Sequence, residues 1–158
     1  MSKEEATAKN AEKNKGEIQP QRHKDTKMAR FEPIPTETER IAQGAIDCVF
    51  KVHSILGPGL LESVYETCLC HELNQRSISF KTQVSLPVLY EGIRLDAGMR
   101  LDLVLDDQVV VELKSVERML PLFEAQLLTY LKLTGMRLGL LINFNVPTIK
   151  EGIKRIVL

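Results

Sequence analysis

The chain has 158 residues, 44% of them hydrophobic, with no tryptophan, three cysteines and 21 basic residues against 21 acidic ones. This length suits one domain with a proper core. The zero net charge excludes nucleic-acid binding by bulk attraction alone, so any phosphate contact must come from local groups of Lys and Arg. The sequence shows no secretory signal and no apolar stretch near the ~20 residues of a membrane helix, which predicts a cytoplasmic protein with free thiols and no membrane partner.

The first 34 residues form a polar block of their own. Residues 1–30 are rich in Lys, Glu, Asn, Gln and Thr and nearly lack large apolar side chains. Such a segment cannot bury enough surface to offset the entropy lost on ordering. We predict a disordered tail over residues 1–34 and one folded domain over 35–158. An arm that touches nucleic acid is the alternative, because Lys and Arg slightly outnumber the acids there, but a solvated tail is favoured.

Two helices are expected at the start of the folded domain. Residues 36–39 (Thr-Glu-Thr-Glu) match a capping box, and apolar residues then recur at helical spacing up to Leu56. A Gly-Pro-Gly turn at residues 57–59 ends this helix, and a second helix is expected over about residues 60–75.

The rest of the chain alternates between strand and helix patterns. A helix is expected from Pro121 to about Leu133, ended by a Thr-Gly pair. We predict an α/β fold with a mixed central sheet flanked by helices. The predicted strands, including a hairpin over 100–114, cover residues 78–84, 86–90, 100–105, 109–114, 138–144 and 153–158.

The hairpin over residues 100–114 carries an unusual set of charges. If it folds symmetrically about Asp107, then Asp102 lies opposite Glu112, with Cβ atoms about 5 Å apart. Lys114 points to the same face of the sheet, and most other residues of the hairpin are apolar. Two carboxylates in that setting repel and lose hydration, so they need a counter-charge or a shifted pKa. A divalent cation between them would satisfy this need.

This charge pattern suits metal-assisted cleavage of phosphodiesters. Two carboxylates supply the hard oxygen ligands that Mg²⁺ prefers, and the metal activates water and polarises a phosphoryl oxygen. A neighbouring lysine can orient the water or neutralise charge that develops on phosphorus. The alternative is a structural cluster of ion pairs that completes the sheet, in which case Lys114→Ala would cause a large loss of stability.

Several segments together carry a family resemblance. Asp102 followed by Glu112-Leu113-Lys114 resembles the motif of the PD-(D/E)xK nuclease superfamily, although Leu101 replaces the proline of that motif. The resemblance covers roughly Ile41 to the C-terminus and points to the GxxExxY proteins, a family within that superfamily. Its further segments are residues 59–65 (GLLESVY), similar to the signature that names the family, 124–131 (EAQLLTYL), similar to its Q-xxx-Y helix, and 139–144 (GLLINF), similar to the following strand.

The resemblance implies a restriction-endonuclease-like core and a metal site for Mg²⁺ or Mn²⁺. It assigns Asp102 and Glu112 as metal ligands, with the carbonyl of Leu113 as a third ligand. Glu62 is implied as an accessory acidic ligand from the second helix. Its alternative role is to stabilise the helix N-terminus, where the dipole favours an anion.

The catalytic roles implied by the resemblance fall on three other residues. Lys114 is expected to position the attacking water. Gln126 and Tyr130, four residues apart and so on one helical face, are expected to orient that water or the phosphate. For Tyr65, one turn beyond Glu62, core packing is the favoured role.

The sequence therefore predicts a metal-dependent nuclease that hydrolyses phosphodiester bonds of nucleic acid, with DNA as the expected substrate. The alternative is a catalytically weak or inactive module with the same fold, which binds nucleic acid or has a regulatory role. A homodimer is compatible with the prediction, since many nucleases that cut two strands act as dimers.

Overall fold

A computed structural model of the chain describes residues 32–158, within which Pro33–Leu158 form one compact unit. The predicted disordered tail lies outside the described residues except for its positions 32–34. Among the helices of the described part, none combines the length and apolar character needed to cross a membrane.

The helices and strands occur in the predicted order, and two short elements, a helix over Ile149–Gly152 and a strand over Ile93–Leu95, were not predicted from the sequence. The helices are α1 (Thr36–Leu56), α2 (Glu62–Gln75), α3 (Pro121–Thr134) and α4 (Ile149–Gly152). The strands are β1 (Phe80–Ser85), β2 (Val88–Tyr90), β3 (Ile93–Leu95), β4 (Arg100–Leu105), β5 (Val109–Lys114), β6 (Leu138–Asn143) and β7 (Ile153–Val157).

Five strands form one mixed sheet in the order β1-β4-β5-β6-β7. The β5–β6 pair is parallel and the other three pairs are antiparallel. Parallel neighbours cannot be joined by a tight turn, and α3 makes the connection from β5 to β6. Strands β2 and β3 pair separately as a two-stranded hairpin. The predicted mixed sheet flanked by helices is confirmed.

Each face of the five-stranded sheet buries a different helical layer, because successive side chains of a strand point to opposite faces. The odd-numbered apolar residues of the β4–β5 hairpin pack with α1 and α2, and they are Leu103, Leu105, Val109, Val111 and Leu113. Val104 and Val110 pack on the other face with Leu127 of α3. Leu101 is the exception to this alternation, because it joins the cluster with α3.

The predicted capping box at the start of α1 is wrong. Pro35 is the N-cap residue, and no side chain caps the helix. Thr38 instead donates a hydrogen bond to the side-chain oxygen of Gln108 in the hairpin turn, at 2.6 Å. Glu39 accepts two hydrogen bonds from the guanidinium of Arg155 in β7. Thr38 and Glu39 therefore bond to residues distant in the sequence instead of capping the helix.

Gly152, where α4 passes into β7, has no room for a side chain. A Cβ atom there would lie 2.1 Å from the backbone oxygen of Asn143, at the end of β6. Overpacking of this kind costs about 1–3 kcal/mol, and a backbone clash belongs at the upper end of that range. We expect Gly152→Ala to lower the free energy of unfolding by at least about 2 kcal/mol, measured by urea denaturation.

Gly44→Ala is the matched control, because Gly44 lies inside α1 and its added Cβ would meet the flexible tip of Ile78 at 2.8 Å. Alanine is favoured over glycine in a helix by about 1 kcal/mol, which offsets that contact. We expect Gly44→Ala to be close to neutral. A Gly152→Ala protein as stable as wild type would contradict the packing described at this junction.

Candidate active site

The hairpin that carries the charged residues has the register predicted by symmetry about Asp107. Leu105 pairs with Val109, and the ladder continues to Leu103 paired with Val111. The turn uses two aspartates with positive φ, 48° at Asp106 and 54° at Asp107, a conformation that Asp tolerates better than most residues. One step beyond the ladder, the next positions are Asp102 on β4 and Glu112 on β5.

The sheet is irregular at Asp102 on both sides. The β4–β5 ladder stops at Leu103, and the Asp102 Oδ2 accepts a hydrogen bond from the backbone N–H of Leu113 at 2.8 Å. On the other side, the β1–β4 register pairs the residues that flank Asp102 but skips Gln83, whose φ is 49°. Leu101, which lies in the cluster with α3, directly precedes this irregularity.

Glu112 is a buried carboxylate with one satisfied oxygen and one unsatisfied oxygen. Its side chain is 4% exposed, and the Lys114 ammonium lies 3.2 Å from Oε1. The Lys114 nitrogen also lies 5.2 Å from the centre of the Phe123 ring, close enough for a cation–π contact. Among residues 32–158, Oε2 of Glu112 is the buried side-chain polar atom that has no hydrogen-bond partner.

The environment of Glu112 disfavours its charged form. Burial raises the pKa of this carboxyl group to about 7, and the negative charge of Asp102 acts in the same direction. The Lys114 ammonium and the backbone of Asp102 offset part of this shift. A cation bound between the two carboxylates would offset both causes of the raised pKa, because its positive charge favours the ionised form of each.

The residues at this position fit a small, hard divalent cation. The buried, partnerless Oε2 of Glu112 beside the Asp102 carboxylate provides oxygen donors, which Mg²⁺ and Mn²⁺ prefer. In the described part of the chain, no group of three or more His, Cys, Asp or Glu side chains converges as a metal cluster. Mg²⁺ commonly binds through one or two carboxylates and keeps several waters, so a pair of carboxylates is sufficient.

Glu62 lies at the edge of this site, at the first position of α2. Its Oε1 accepts a hydrogen bond from the backbone N–H of Ser115 at 3.2 Å, directly after the end of β5. The hydroxyl of Ser115 donates to the carbonyl of Leu60. Glu62 therefore braces the end of the strand that carries Glu112 and Lys114, and its role as a metal ligand stays a prediction.

Tyr65 is fully buried and fixes the loop that leads to Glu62. Its hydroxyl donates to the carbonyl of Gly57 at 2.6 Å and accepts from the backbone N–H of Leu60 at 3.2 Å. Its ring stacks on Phe144 with centroids 4.3 Å apart. The predicted packing role is confirmed, and the hydroxyl adds a tether to it.

Gln126 and Tyr130 lie on one face of α3, as predicted. The Gln126 amide donates to the Tyr130 hydroxyl at 2.5 Å, and Tyr130 is 4% exposed. Burial raises the pKa of Tyr130, and the nearby charge of Glu112 raises it further. The charge of Glu112 therefore reaches the Tyr130 hydroxyl, and Gln126 is hydrogen-bonded to that hydroxyl.

Three residues that support the candidate site were not predicted from the sequence. Phe123 and Ser115 gave no distinguishing signal, because each acts through a contact across elements. Asn143 did give one, since it is an amide within an apolar strand. It is 2% exposed, and its side chain accepts from the backbone N–H of Val116 at 3.1 Å and donates to the Val116 carbonyl at 2.9 Å. It thereby holds the segment that follows Lys114.

The sequence model of the PD-(D/E)XK nuclease superfamily matches residues 39–156, a range that includes every candidate site residue. Comparison with the curated proteins and with the solved structures found no significant match. The finer resemblance to the GxxExxY proteins is not tested by this match and stays a prediction.

The raised pKa of Glu112 predicts how metal-free stability changes with pH. Between its ordinary value of 4.5 and about 7, the native state holds a proton that the unfolded chain releases. The free energy of unfolding must therefore fall as the pH rises through this window, by up to about 3 kcal/mol. We expect Glu112→Gln to remove this decline, measured by urea denaturation at several pH values with a chelator present.

Asp102→Asn separates the two causes of the shift. It removes the neighbouring charge but keeps Glu112 buried, so we expect a smaller decline between pH 4.5 and 7 than in wild type. If wild type and Glu112→Gln show the same dependence on pH, then the buried carboxyl group does not titrate as described.

Proposed function

The chain belongs to the PD-(D/E)XK nuclease superfamily, and on that premise we propose that it hydrolyses phosphodiester bonds of nucleic acid, with DNA as the expected substrate. The observation that carries the proposal is the buried, partnerless Oε2 of Glu112 beside a second carboxylate. An arrangement that costs stability in the metal-free protein is typical of a site that binds a cation and performs chemistry.

The proposed cofactor is Mg²⁺ or Mn²⁺, held by Asp102 and Glu112, with the Leu113 carbonyl as a further ligand and Glu62 as an accessory one. When bound, the cation supplies Lewis acidity to the phosphoryl group and makes a water molecule more acidic. The Asp102 carboxylate accepts the Leu113 N–H, so its orientation is fixed before any ligand arrives.

Lys114 is the proposed positioning group for the attacking water. Its ammonium is held between Glu112 and the ring of Phe123, and its side chain is 14% exposed. Because these contacts already order the Lys114 side chain, its ammonium can donate to a bound substrate with little further loss of side-chain freedom. The positive charge also opposes the negative charge that develops on the phosphoryl oxygens.

Gln126 and Tyr130 are the proposed second pair of orienting groups. The amide of Gln126 fixes the Tyr130 hydroxyl by donating to it, so the hydroxyl proton remains available to an acceptor. In the overall hydrolysis, the water oxygen forms a bond to phosphorus and the ester oxygen leaves. One water proton goes to solvent, and the leaving oxygen takes up another proton.

Removal of Lys114 tests the proposed activity. We expect purified protein with Mn²⁺ or Mg²⁺ to cleave DNA, and Lys114→Ala to lower the rate by at least about 100-fold. Lys114→Ala should still fold, because the Lys114 ammonium contacts side chains of the site rather than the hydrophobic core. Cleavage is measured on labelled DNA across several metals, with thermal unfolding recorded for each protein.

Lys81→Ala is the matched control, since Lys81 is an exposed strand lysine with one ion pair, to Asp107. It should cleave at the wild-type rate. Mg²⁺ should stabilise wild type and Lys114→Ala by about 3 kcal/mol at 100 times its dissociation constant, but not Asp102→Ala. Unchanged cleavage by Lys114→Ala would refute the mechanism. Metal binding without any cleavage would favour the catalytically inactive module.

Phe123 is expected to act through Lys114. A cation–π contact contributes about 0.5–2 kcal/mol, so Phe123→Ala should slow cleavage by about tenfold through a freer lysine. Phe123→Tyr keeps an aromatic ring and should restore most of the rate. If Ala and Tyr at this position slow cleavage equally, then the ring does not position the ammonium.

A further inference from the structure

A groove of about 400 Å³ runs along α3 beside the proposed active site. Its size lies near the lower end of the range for small-molecule sites, about 300–1,000 Å³, which suits one nucleoside rather than a longer segment. The α3 residues that line it have the spacing of a single helical face. They are Leu122, Ala125, Gln126, Thr129 and Tyr130, and Met99 completes the groove from the segment before β4.

The described residues that line this groove carry no charged side chain. A phosphate group would therefore find no counter-charge there, whereas an uncharged, flat ligand would match the surface. Leu122 is 67% exposed, a large apolar side chain left in water on the wall of the groove. The amide of Gln126 and the hydroxyl of Thr129 can form hydrogen bonds to the edge of a heterocyclic base. The charge pattern therefore favours a nucleobase as the occupant.

The groove and the proposed active site share side chains. Gln126 and Tyr130 line the groove, and Tyr130 is close enough to Glu112 for that charge to raise its pKa. Phe123, next to Leu122 in the sequence, contacts Lys114. A phosphate held by a cation at the two carboxylates would therefore have an adjoining nucleotide against this face of α3.

We propose that this groove binds the unpaired base of a nucleotide next to the scissile phosphate, so that the protein acts on single-stranded DNA. A base within a duplex is stacked and paired, and it cannot present its face to a protein groove unless it is extruded. The inference rests on the proposed nuclease function and specifies the substrate of the same site.

The test compares one labelled oligonucleotide as a single strand and as a duplex, with Mn²⁺. We expect the single strand to be cleaved at least tenfold faster. An abasic nucleotide beside a cleaved bond should lower cleavage at that bond about tenfold, which is the scale of one lost base–protein stacking contact. Leu122→Ala should raise KM for the single strand by a similar factor while kcat and metal-dependent stabilisation stay unchanged.

The matched control is Ile55→Ala, which removes an equally exposed apolar side chain, 68% exposed, from α1. It should cleave the single strand as wild type does. In Leu122→Ala, the abasic substitution should have little further effect, because the contact is already gone.

A separate binding measurement distinguishes failure of this inference from failure of the nuclease function. In the Lys114→Ala protein, fluorescence anisotropy should show weaker binding of the abasic strand than of the intact strand. The double variant that also carries Leu122→Ala should bind the intact strand more weakly than Lys114→Ala alone does. Equal cleavage of duplex and single strand, or no effect of the abasic site, would overturn the single-strand inference and leave the nuclease intact. Absence of cleavage with every metal would overturn the nuclease function. Equal binding of the intact and abasic strands would overturn the proposal that the groove binds a base.

Discussion

The hydrogen bond from the Leu113 backbone N–H to the Asp102 carboxylate is the interaction on which the site depends. A regular ladder would give this N–H a backbone carbonyl on β4. Here a side chain provides the acceptor, so the β4–β5 ladder ends while both strands keep their outer neighbours, β1 and β6. The sheet therefore stays intact around a local defect, and two carboxylates can come together without breaking the core.

The defect lies at the central strand of the sheet, where apolar packing on both faces offsets its cost. Every residue of β5 from Val109 to Leu113 is buried, and the strand lies at the centre of the five-stranded order. Burying Glu112 next to Asp102 opposes folding, but packing of the apolar residues on both faces outweighs that cost. The central strand thus carries the buried carboxyl group of Glu112, and hydrogen bonds made by Ser115 and Asn143 hold the segment at its end.

The sequence predicted those parts of the site that depend on spacing within one element. The register about Asp107, and hence the position of Asp102 near Glu112, followed from the symmetry of one hairpin. The contact between Gln126 and Tyr130 followed from helical periodicity. Contacts between elements could not be predicted this way, because no local pattern records which loop approaches which strand end. The predicted capping box was wrong for the same reason, because Glu39 forms an ion pair with Arg155 on a strand distant in the sequence.

The depth at which α3 packs on the sheet depends on a residue outside the site. Gly139 of β6 pairs with Val110 of β5, two residues before Glu112. A Cβ atom at Gly139 would lie 2.9–3.0 Å from side-chain carbons of Leu127, so the helix rests on the sheet where a side chain is missing. Interiors are close-packed, so a larger residue there would force Leu127 or the helix that carries it to move. Because Tyr130 lies on the same helix, this glycine, which has no chemistry of its own, contributes to how closely Tyr130 approaches the sheet that carries Glu112.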